Sequence, residues 1–346
     1  MVIIELADAD RPAWDTYVHQ APGGLPQHLS GWRDVLARTY GYETHYLMAR
    51  EGGAVVGVLP LFLVPSILVG NAAKTMPGGL CAESPEVAAA LIARASEIAR
   101  RANARTFVLQ DTRQAWPGDL QTTSHHVHWV VDLRAGAEDL WHRLDGNIRR
   151  QVRLARRSGL TIEIDRSGRR LGEFHNVLSH FTHQVGTPVF GRCFLEHIVA
   201  AFPEGFNIAV VYDGHQPIGA YFQLEMGRTV YGTWGAALRE YLKLRPVYLA
   251  YWEMLADMAA QGYHFLDMGR SPADSNASKF KGQWGGSAHP VYQQMVSLGG
   301  SRPAGREAGA LPSGVTRGYF SRIWSRLPFP VVQFLGPRLR RHMPFA

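Results

Sequence analysis

The alternation of apolar and polar positions recurs twice along the chain in one form. Residues 45–61, HYLMAREGGAVVGVLPL, and residues 207–223, NIAVVYDGHQPIGAYFQ, each read as an apolar strand, an acidic residue followed by a turn glycine, and a second apolar strand. Such a pattern predicts a β-hairpin, with Gly52 and Gly214 supplying the positive φ of a tight turn. Gly57 and Gly219 lie five residues beyond them, and both pairs keep the same offset of 162. Hairpins are common enough to coincide, so the segment after each copy matters.

Both hairpins lead to helical periodicity and then a strand. Residues 86–103, EVAAALIARASEIARRAN, lead into RTFVLQ, and residues 246–262, PVYLAYWEMLADMAAQG, lead into YHFLDMG. Pro246 suits a first helical turn and Gly262 a helix end. The order hairpin, connection, helix, strand therefore occurs twice, which predicts a duplicated α/β (α+β) domain joined near residues 135–145. Further helices are expected at 29–39, capped by Ser30 with Asp34 nearby, at 138–158 and at 171–184. The stretch 299–318, GGSRPAGREAGALPSGVTRG, reads as a flexible linker.

At 346 residues, with 46% hydrophobic and 19% charged, the chain can fill two globular cores. Two cysteines, Cys81 and Cys193, without ligand spacing argue against a disulfide framework or a thiolate metal site, and no metal is expected. The N-terminus MVIIELADADRPAW lacks the form of an export signal, and no run of apolar residues is long enough to span a bilayer. A cytoplasmic location is expected, with contact to the inner face of the plasma membrane. Charge is unevenly spread: net −4 over residues 1–140, +4 over 141–300 and +7 over 301–346.

The densest cationic stretch is NIRRQVRLARRSGL, residues 147–160, with five arginines in fourteen residues and no acid. On a helix Ile148, Val152 and Ala155 share one face, while Arg149, Arg153 and Arg156 run along another with Arg150 and Arg157 beside them. A solvated surface helix would mix in glutamates. Arginine at every cationic position favours a planar bidentate partner such as phosphate or carboxylate.

A second cluster, MGRSPADSNASKFKGQWGG (268–286), comes directly after the strand YHFLD. Loops at strand ends in α/β folds carry sites because they vary while the sheet stays rigid. Arg270, Lys279 and Lys281 bring three cations together, Ser271 and Ser275 offer hydroxyls, and Trp284 with Gly285 and Gly286 allows close backbone approach. A plain soluble loop has the same composition. Asp267 at the strand end is either a general base or a buried cap, and spacing does not decide. In THQVGTPVF (182–190), Gly186, Thr187 and Pro188 mark a sharp turn, and Phe190 is either core or a substrate wall. His180 and His183, lacking further ligands at metal spacing, read as core or surface histidines.

No G-x-x-x-x-G-K-[ST], G-x-G-x-x-G after a strand, H-E-x-x-H or G-x-S-x-G occurs. Nucleotide hydrolysis, dinucleotide redox chemistry, zinc proteolysis and serine hydrolysis lose support. The tail RGYFSRIWSRLPFPVVQFLGPRLRRHMPF (317–345) interleaves aromatic residues with arginines and no acid, a composition that anionic membrane surfaces attract; a disordered tail, or one packed on the domain, fits equally.

Taken in order, NIRRQVRLARRSGL, GTPVF, a strand pair ending TWGAA, and DMGRS…KFKGQWG closely resemble FemAB-related proteins, the branch of the acetyltransferase-like (GNAT) superfamily associated with exosortase and exopolysaccharide systems. The tail IWSRLPFPVVQFLGPRLRR is similar to that branch, and the likeness runs from about residue 28 to the end. It implies two tandem GNAT-like domains with mixed, mostly antiparallel sheets, over 1–137 and 138–300, and a basic aromatic tail over 301–346. The activity it implies is N-acyl transfer to an amino group of a cell-envelope or exopolysaccharide precursor. No cofactor would be permanently bound. Acyl-CoA or aminoacyl-tRNA would be the co-substrate, and the acceptor a phosphate-bearing, lipid- or nucleotide-linked amino sugar or peptide; tRNA is an expected partner and DNA is not.

Carried over by position, Arg149, Arg150 and Arg153 with Asn147 would face the phosphates. Arg270, Ser271, Lys279 and Lys281 would line the cleft of the second domain with Tyr231, Trp234 and Trp284, and Thr187 and Pro188 would stand at its rim. Asp267 is the expected proton acceptor and Lys281 the expected catalytic cation. The pyrophosphate pattern Q/R-x-x-G-x-G/A of acetyl-CoA enzymes has only a partial match at Arg156–Thr161, which weighs against CoA as donor. A scaffold or polyanion-binding protein of the same machinery is the alternative; it would tolerate loss of Lys281.

Overall fold

A computed structural model describes residues 1–65, 71–298 and 314–342. The chain divides into two compact units, one of Met1–His125, Pro290–Tyr319 and Arg338–Ala346, the other of His126–His289 and Phe320–Pro337.

The first unit is built from β1 (Val2–Glu5), α1 (Arg11–Gln20), α2 (Gly31–Tyr40), β2 (Thr44–Glu51), β3 (Ala54–Val64), β4 (Ala72–Thr75), β5 (Cys81–Ala82), α3 (Pro85–Arg101) and β6 (Thr106–Thr112). The strand β7 (Gln121–Asp132) begins in the first unit and continues into the second. The second unit then takes α4 (Gly136–Arg143), α5 (Gly146–Arg157), β8 (Thr161–Asp165), α6 (Leu171–Gln184), α7 (Arg192–Ala201), β9 (Phe206–Asp213), β10 (Gln216–Met226), β11 (Thr229–Ala237), α8 (Pro246–Ala260), β12 (Phe265–Pro272) and α9 (Asn276–Gly282). After these come β13 (Ser287–Ser297), α10 (Gly314–Trp324) and α11 (Phe329–Arg340).

The sheet of the first unit has the order β1-β2-β3-β4-β6-β13, with β5 on β3, and that of the second β8-β9-β10-β11-β12-β7. Each contains one parallel pair, β4 with β6 and β11 with β12, among antiparallel neighbours. The two orders correspond strand for strand. The last strand of each is exchanged in chain order: β13, late in the sequence, pairs with β6, while residues 126–132 of β7 pair with β12. A cut at 137/138 therefore does not coincide with the units. Residues 126–132 belong to the second and 290–298 to the first, because backbone pairing assigns a strand to its partners and not to its place in the chain.

The duplication extends to local detail. Gly52 and Gly214 have φ of 57° and 59°. Ala49 faces Gly57 and Arg50 faces Val55, which bulges out Val56; Val211 faces Gly219 and Tyr212 faces Pro217, which bulges out Ile218, 162 positions on. A Cβ on Gly57 would lie 2.6 Å from Val87 of α3, and one on Gly219 would lie 3.7 Å from Pro246 of α8. Gly57 lets α3 sit on its hairpin, whereas Gly219 leaves ordinary van der Waals room beside α8. Leu91, Ala95 and Phe107 anchor the first core, and Leu249, Met254 and Trp284 the second.

Several local expectations change. Ser30 does not cap α2; its hydroxyl donates to Asp15 at 2.8 Å. The segment 138–158 breaks into α4 and α5, because Asp145 caps the second helix by accepting from the Asn147 amide at 2.7 Å. Of the linker 299–318, residues 299–313 lie outside the described residues, and from Gly314 the chain is helical. Residues 320–337 pack within the second unit, with Trp324 and Val332 buried, so the described part of the tail is folded structure.

Candidate active site

The parallel pairing of β11 with β12 is short. It covers Thr229, Val230 and Tyr231 against Phe265, Leu266 and Asp267, after which the strands part. The parting is built into the backbone: β12 bulges at Met268 and Gly269 against β7, and Gly269 has φ +72. A Cβ at Gly269 would lie 2.6 Å from the Gly232 carbonyl oxygen, so only glycine fits between the strands as they diverge.

Asp267 sits at this point with 4% of its surface exposed. Its Oδ1 accepts from the Gly269 amide at 2.8 Å, and its Oδ2 lies 3.0 Å from Nδ1 of His128 on β7. The carboxylate is thus engaged by the backbone and by an imidazole. The His128 ring packs at 5.2 Å on His289, whose Nε2 lies 2.9 Å from the Ser287 hydroxyl.

Lys281, on the last turn of α9, reaches back to the same place. Its ammonium donates to the carbonyls of Gly269 at 2.8 Å and Arg270 at 3.1 Å. Burial pushes its pKa down to about 8, against the pull of Asp267. An ammonium has three N–H donors, so one remains beyond the two carbonyls. The helix that carries Lys281 is capped by Ser275, which accepts from the Ser278 amide at 3.1 Å and donates to the Pro272 carbonyl at 2.7 Å; Ser278 in turn accepts from the Trp129 indole at 3.0 Å.

The other expected residues divide. Tyr231, Trp234, Arg270 and Ser271 lie on β11 and β12 at or beyond the parting, with Arg270 and Lys279 exposed and Ser271 buried. Trp234 packs edge-on against Phe190 at 5.4 Å, and Phe190 is itself buried in the core. Trp284 is not a substrate contact: it is fully buried and packs on Tyr251 and Phe280, because Gly282 and Gly286 let the chain run tight against Trp129 and Val130. Thr187 and Pro188 are not a rim. A Cβ on Gly186 would meet Ser321 of α10 at 2.2 Å, so the tail covers this turn. His180 stacks on Phe329 at 4.0 Å and His183 lies 3.0 Å from the Leu327 carbonyl, both serving tail packing. Among the described residues no group of His, Cys, Asp and Glu could hold a metal.

The arginine helix is amphipathic as its spacing predicts, with Ile148, Val152 and Ala155 buried. Its cations are not equivalent. Arg156 is paired with Glu253 of α8 at 2.7 Å, Arg153 lies over the Trp141 ring at 5.5 Å, and Arg150 donates to Asn147 at 3.1 Å. Asn147 also accepts from Gln151 at 3.2 Å and so helps order the first turn. Gln151 accepts from Arg245, which holds a left-handed φ of 63° at the start of α8.

The first unit has no counterpart of this opening among its described residues. Beyond Lys74 and Val108, where β4 and β6 cease to pair, the Thr75 hydroxyl accepts from the Gln110 amide at 2.9 Å and the Gly78 amide donates to the Gln110 carbonyl at 2.9 Å. The strands are stitched together where those of the second unit part.

Residues 142–281 match the family described as Acetyltransferase (GNAT) domain, a span that contains α5, the β11–β12 opening and Lys281. A search of curated proteins finds no match. The fold is similar to a crystal structure of FemX, with a TM-score of 0.66 at 16% identity over 85% of this chain and 97% of that one. It is similar to a tandem GNAT protein from the clavulanic acid biosynthesis pathway, with a TM-score of 0.57 at 13% identity over 87% and 99%. It is also similar to the C-terminal domain of a putative lysylphosphatidylglycerol synthetase from Agrobacterium fabrum, with a TM-score of 0.55 at 13% identity over 83% and 91%. At these identities the likeness concerns the fold: two tandem GNAT-like units with mixed, mostly antiparallel sheets. No helix among the described residues is long and apolar enough to cross a membrane.

Proposed function

We propose that this chain, with its GNAT acetyltransferase domain at residues 142–281, is an N-acyltransferase that works at the β11–β12 opening of its second unit. The observation that carries the reading is the Lys281 ammonium, held by the Gly269 and Arg270 carbonyls where the strands part, beside the Asp267–His128 pair.

Aminolysis of an ester or thioester needs the two substrates held together, a free amine as nucleophile, and stabilisation of the oxyanion. The amine nitrogen attacks the acyl carbon, the C–N bond forms, and the carbonyl electrons move onto oxygen. The remaining N–H of Lys281 meets that charge. The proton released by the amine passes to His128, whose orientation Asp267 fixes, and collapse of the intermediate breaks the C–O or C–S bond to the donor.

GNAT domains use acyl-CoA as co-substrate, and the FemX and lysylphosphatidylglycerol synthetase folds support an aminoacyl donor as the finer reading. Arg149, Arg150 and Arg270 are cations for a phosphate-bearing acceptor, an amino sugar or peptide precursor of the cell envelope or of exopolysaccharide. The FemAB-like motifs support that class.

The test offers the purified chain an acyl-CoA or an aminoacyl-tRNA together with a nucleotide-linked amino sugar, and monitors the product by mass spectrometry. Transfer from one donor, lost in Lys281→Met, establishes the reaction. Absence of transfer from both, with tRNA held no better than any RNA and released steeply by salt, would make the arginine helix a polyanion surface and end the enzyme reading.

A further inference from the structure

Among the described residues, four of the seven exposed large apolar side chains lie on the tail helices. Ile323 (49%), Val331 (38%), Phe334 (59%) and Leu339 (36%) all lie there, against Met1, Val2 and Leu242 elsewhere. The opposite face of the same helices is spent on packing: Trp324 and Val332 are buried, Phe329 lies under His180, and Gly336 sits so close to Val189 that a Cβ would be 3.2 Å from its amide nitrogen. On α11, Val331, Phe334 and Arg338 are spaced i, i+3 and i+7, which puts them on one outward face.

Charge decides what covers it. Arg322 and Arg326 are exposed on either side of Ile323, and no acidic residue comes after Glu307 in the sequence. In a two-fold contact with a second copy these arginines would face their own kind without a carboxylate to relieve them. Exposed apolar side chains next to exposed arginines in the sequence, and no acids after Glu307, match a surface that is anionic outside and hydrocarbon beneath. We propose that the outward face of α10 and α11 docks on an anionic lipid bilayer, with Ile323 and Val331 entering the acyl boundary and Arg322 and Arg326 meeting lipid phosphates.

The docking stands apart from the acyl-transfer reading, but it bears on it. Gly336 and Pro337 pack on Val189 and Gly191, which flank Phe190, and Phe190 packs on Trp234 of β11. On the acyltransferase reading, a docked tail holds the second unit at the membrane that carries a lipid-linked acceptor.

The full chain is floated with vesicles of phosphatidylcholine and with vesicles in which about a third of the lipid is phosphatidylglycerol. The expected result is retention on the anionic vesicles alone, weakened at least about tenfold by the paired change Ile323→Ser and Val331→Ser. The pair Arg322→Gln and Arg326→Gln should weaken it similarly and flatten its dependence on salt. Both pairs alter exposed side chains, and an unchanged thermal melt shows that they fold. Failure of wild type to float with anionic vesicles, flotation indifferent to both pairs, or a concentration-dependent dimer abolished by the serine pair would overturn the proposal. Soluble acyl acceptors are used in the transfer assay, so a tail that does not bind lipid leaves transfer intact, and a chain without transfer can still float.

Discussion

His128 Nδ1 lies 3.0 Å from Asp267 Oδ2, across 139 positions of sequence, with 12% and 6% of their side chains exposed. Because the other carboxylate oxygen is taken by the Gly269 amide, Asp267 is placed to orient the imidazole. Asp267→Asn keeps an acceptor for Gly269 but removes the charge that favours a protonated ring. Steady-state kinetics should show kcat lower by about 10²- to 10⁴-fold with KM nearly unchanged, and His128→Ala should match it. A double variant no worse than either single one would show that the two act as a unit. Additive losses would show that they do not.

On the acyl-transfer reading, Lys281 sets the pH range of the reaction. Burial lowers its pKa to about 8, so the cation predominates below that pH and is lost above it. If the ammonium stabilises the oxyanion, kcat/KM falls as pH rises through about 8, and the fall disappears in Lys281→Arg, whose charge persists. Lys281→Met should cost about 10²- to 10³-fold in kcat at neutral pH. A rate that instead rises through that range would make Lys281 a base and assign the oxyanion to another donor.

Gly269 is the hinge of the opening, and its restriction is steric as well as conformational. With φ at +72° and the Gly232 carbonyl 2.6 Å from any Cβ, Gly269→Ala strains the backbone and pushes β11 from β12. Denaturant unfolding should show a loss of at least about 2 kcal/mol. The corresponding bulge in the first unit holds Asp111 at φ 53°, a residue type that tolerates this region.

What the sequence revealed and what it hid depend on the range of the interactions. The hairpins were legible because Gly52 and Gly214 set their turns locally, and α6 was legible from apolar spacing alone. The pairing of β13 with β6 was not, since nothing near HPVYQQMV names a partner some 180 positions away, as Thr112 and Tyr292 are. His128 was hidden for the same reason. It is one of three histidines in SHHVHW, and only the fold sets it against Asp267. Trp284 misled because a tryptophan beside two glycines looks like an exposed loop, whereas here the small residues let it sink into the core. The arginine helix was half legible: its buried face was evident, but Glu253, which neutralises Arg156, comes from another helix.

His28 makes the first unit acid-sensitive. It is fully buried, its Nδ1 accepts from the Leu25 amide at 3.2 Å, and burial lowers its pKa to about 4. The folded state therefore resists a proton that the unfolded chain accepts at its ordinary value of 6.5. Stability contributed by the neutral ring is whole above pH 6.5 and is lost as pH falls towards 4, by a few kcal/mol. His28→Asn retains an acceptor without the titration, so the melting temperature of the variant should vary less between pH 7 and about 4.5 than that of wild type. Parallel curves would place the acid sensitivity elsewhere.

The arginines of α5 should separate by partner. Arg156 is held by Glu253, so Arg156→Ala removes an exposed ion pair and should change stability by less than about 1 kcal/mol with no effect on transfer. Arg149 is half-buried and Arg150 exposed, and a phosphate-bearing acceptor is the partner proposed for them. Their replacement by alanine should raise KM for that acceptor about tenfold or more, steepest at low salt, while kcat at saturation holds. Lysine should restore the charge but only part of the affinity, because it cannot offer the planar fork that grips two phosphate oxygens at once. Full rescue by lysine would mean that the helix supplies a field and not a geometry. A KM that stays put in the alanine variants would remove α5 from the binding surface and leave Arg270 and Lys279 as the cations that face the substrate.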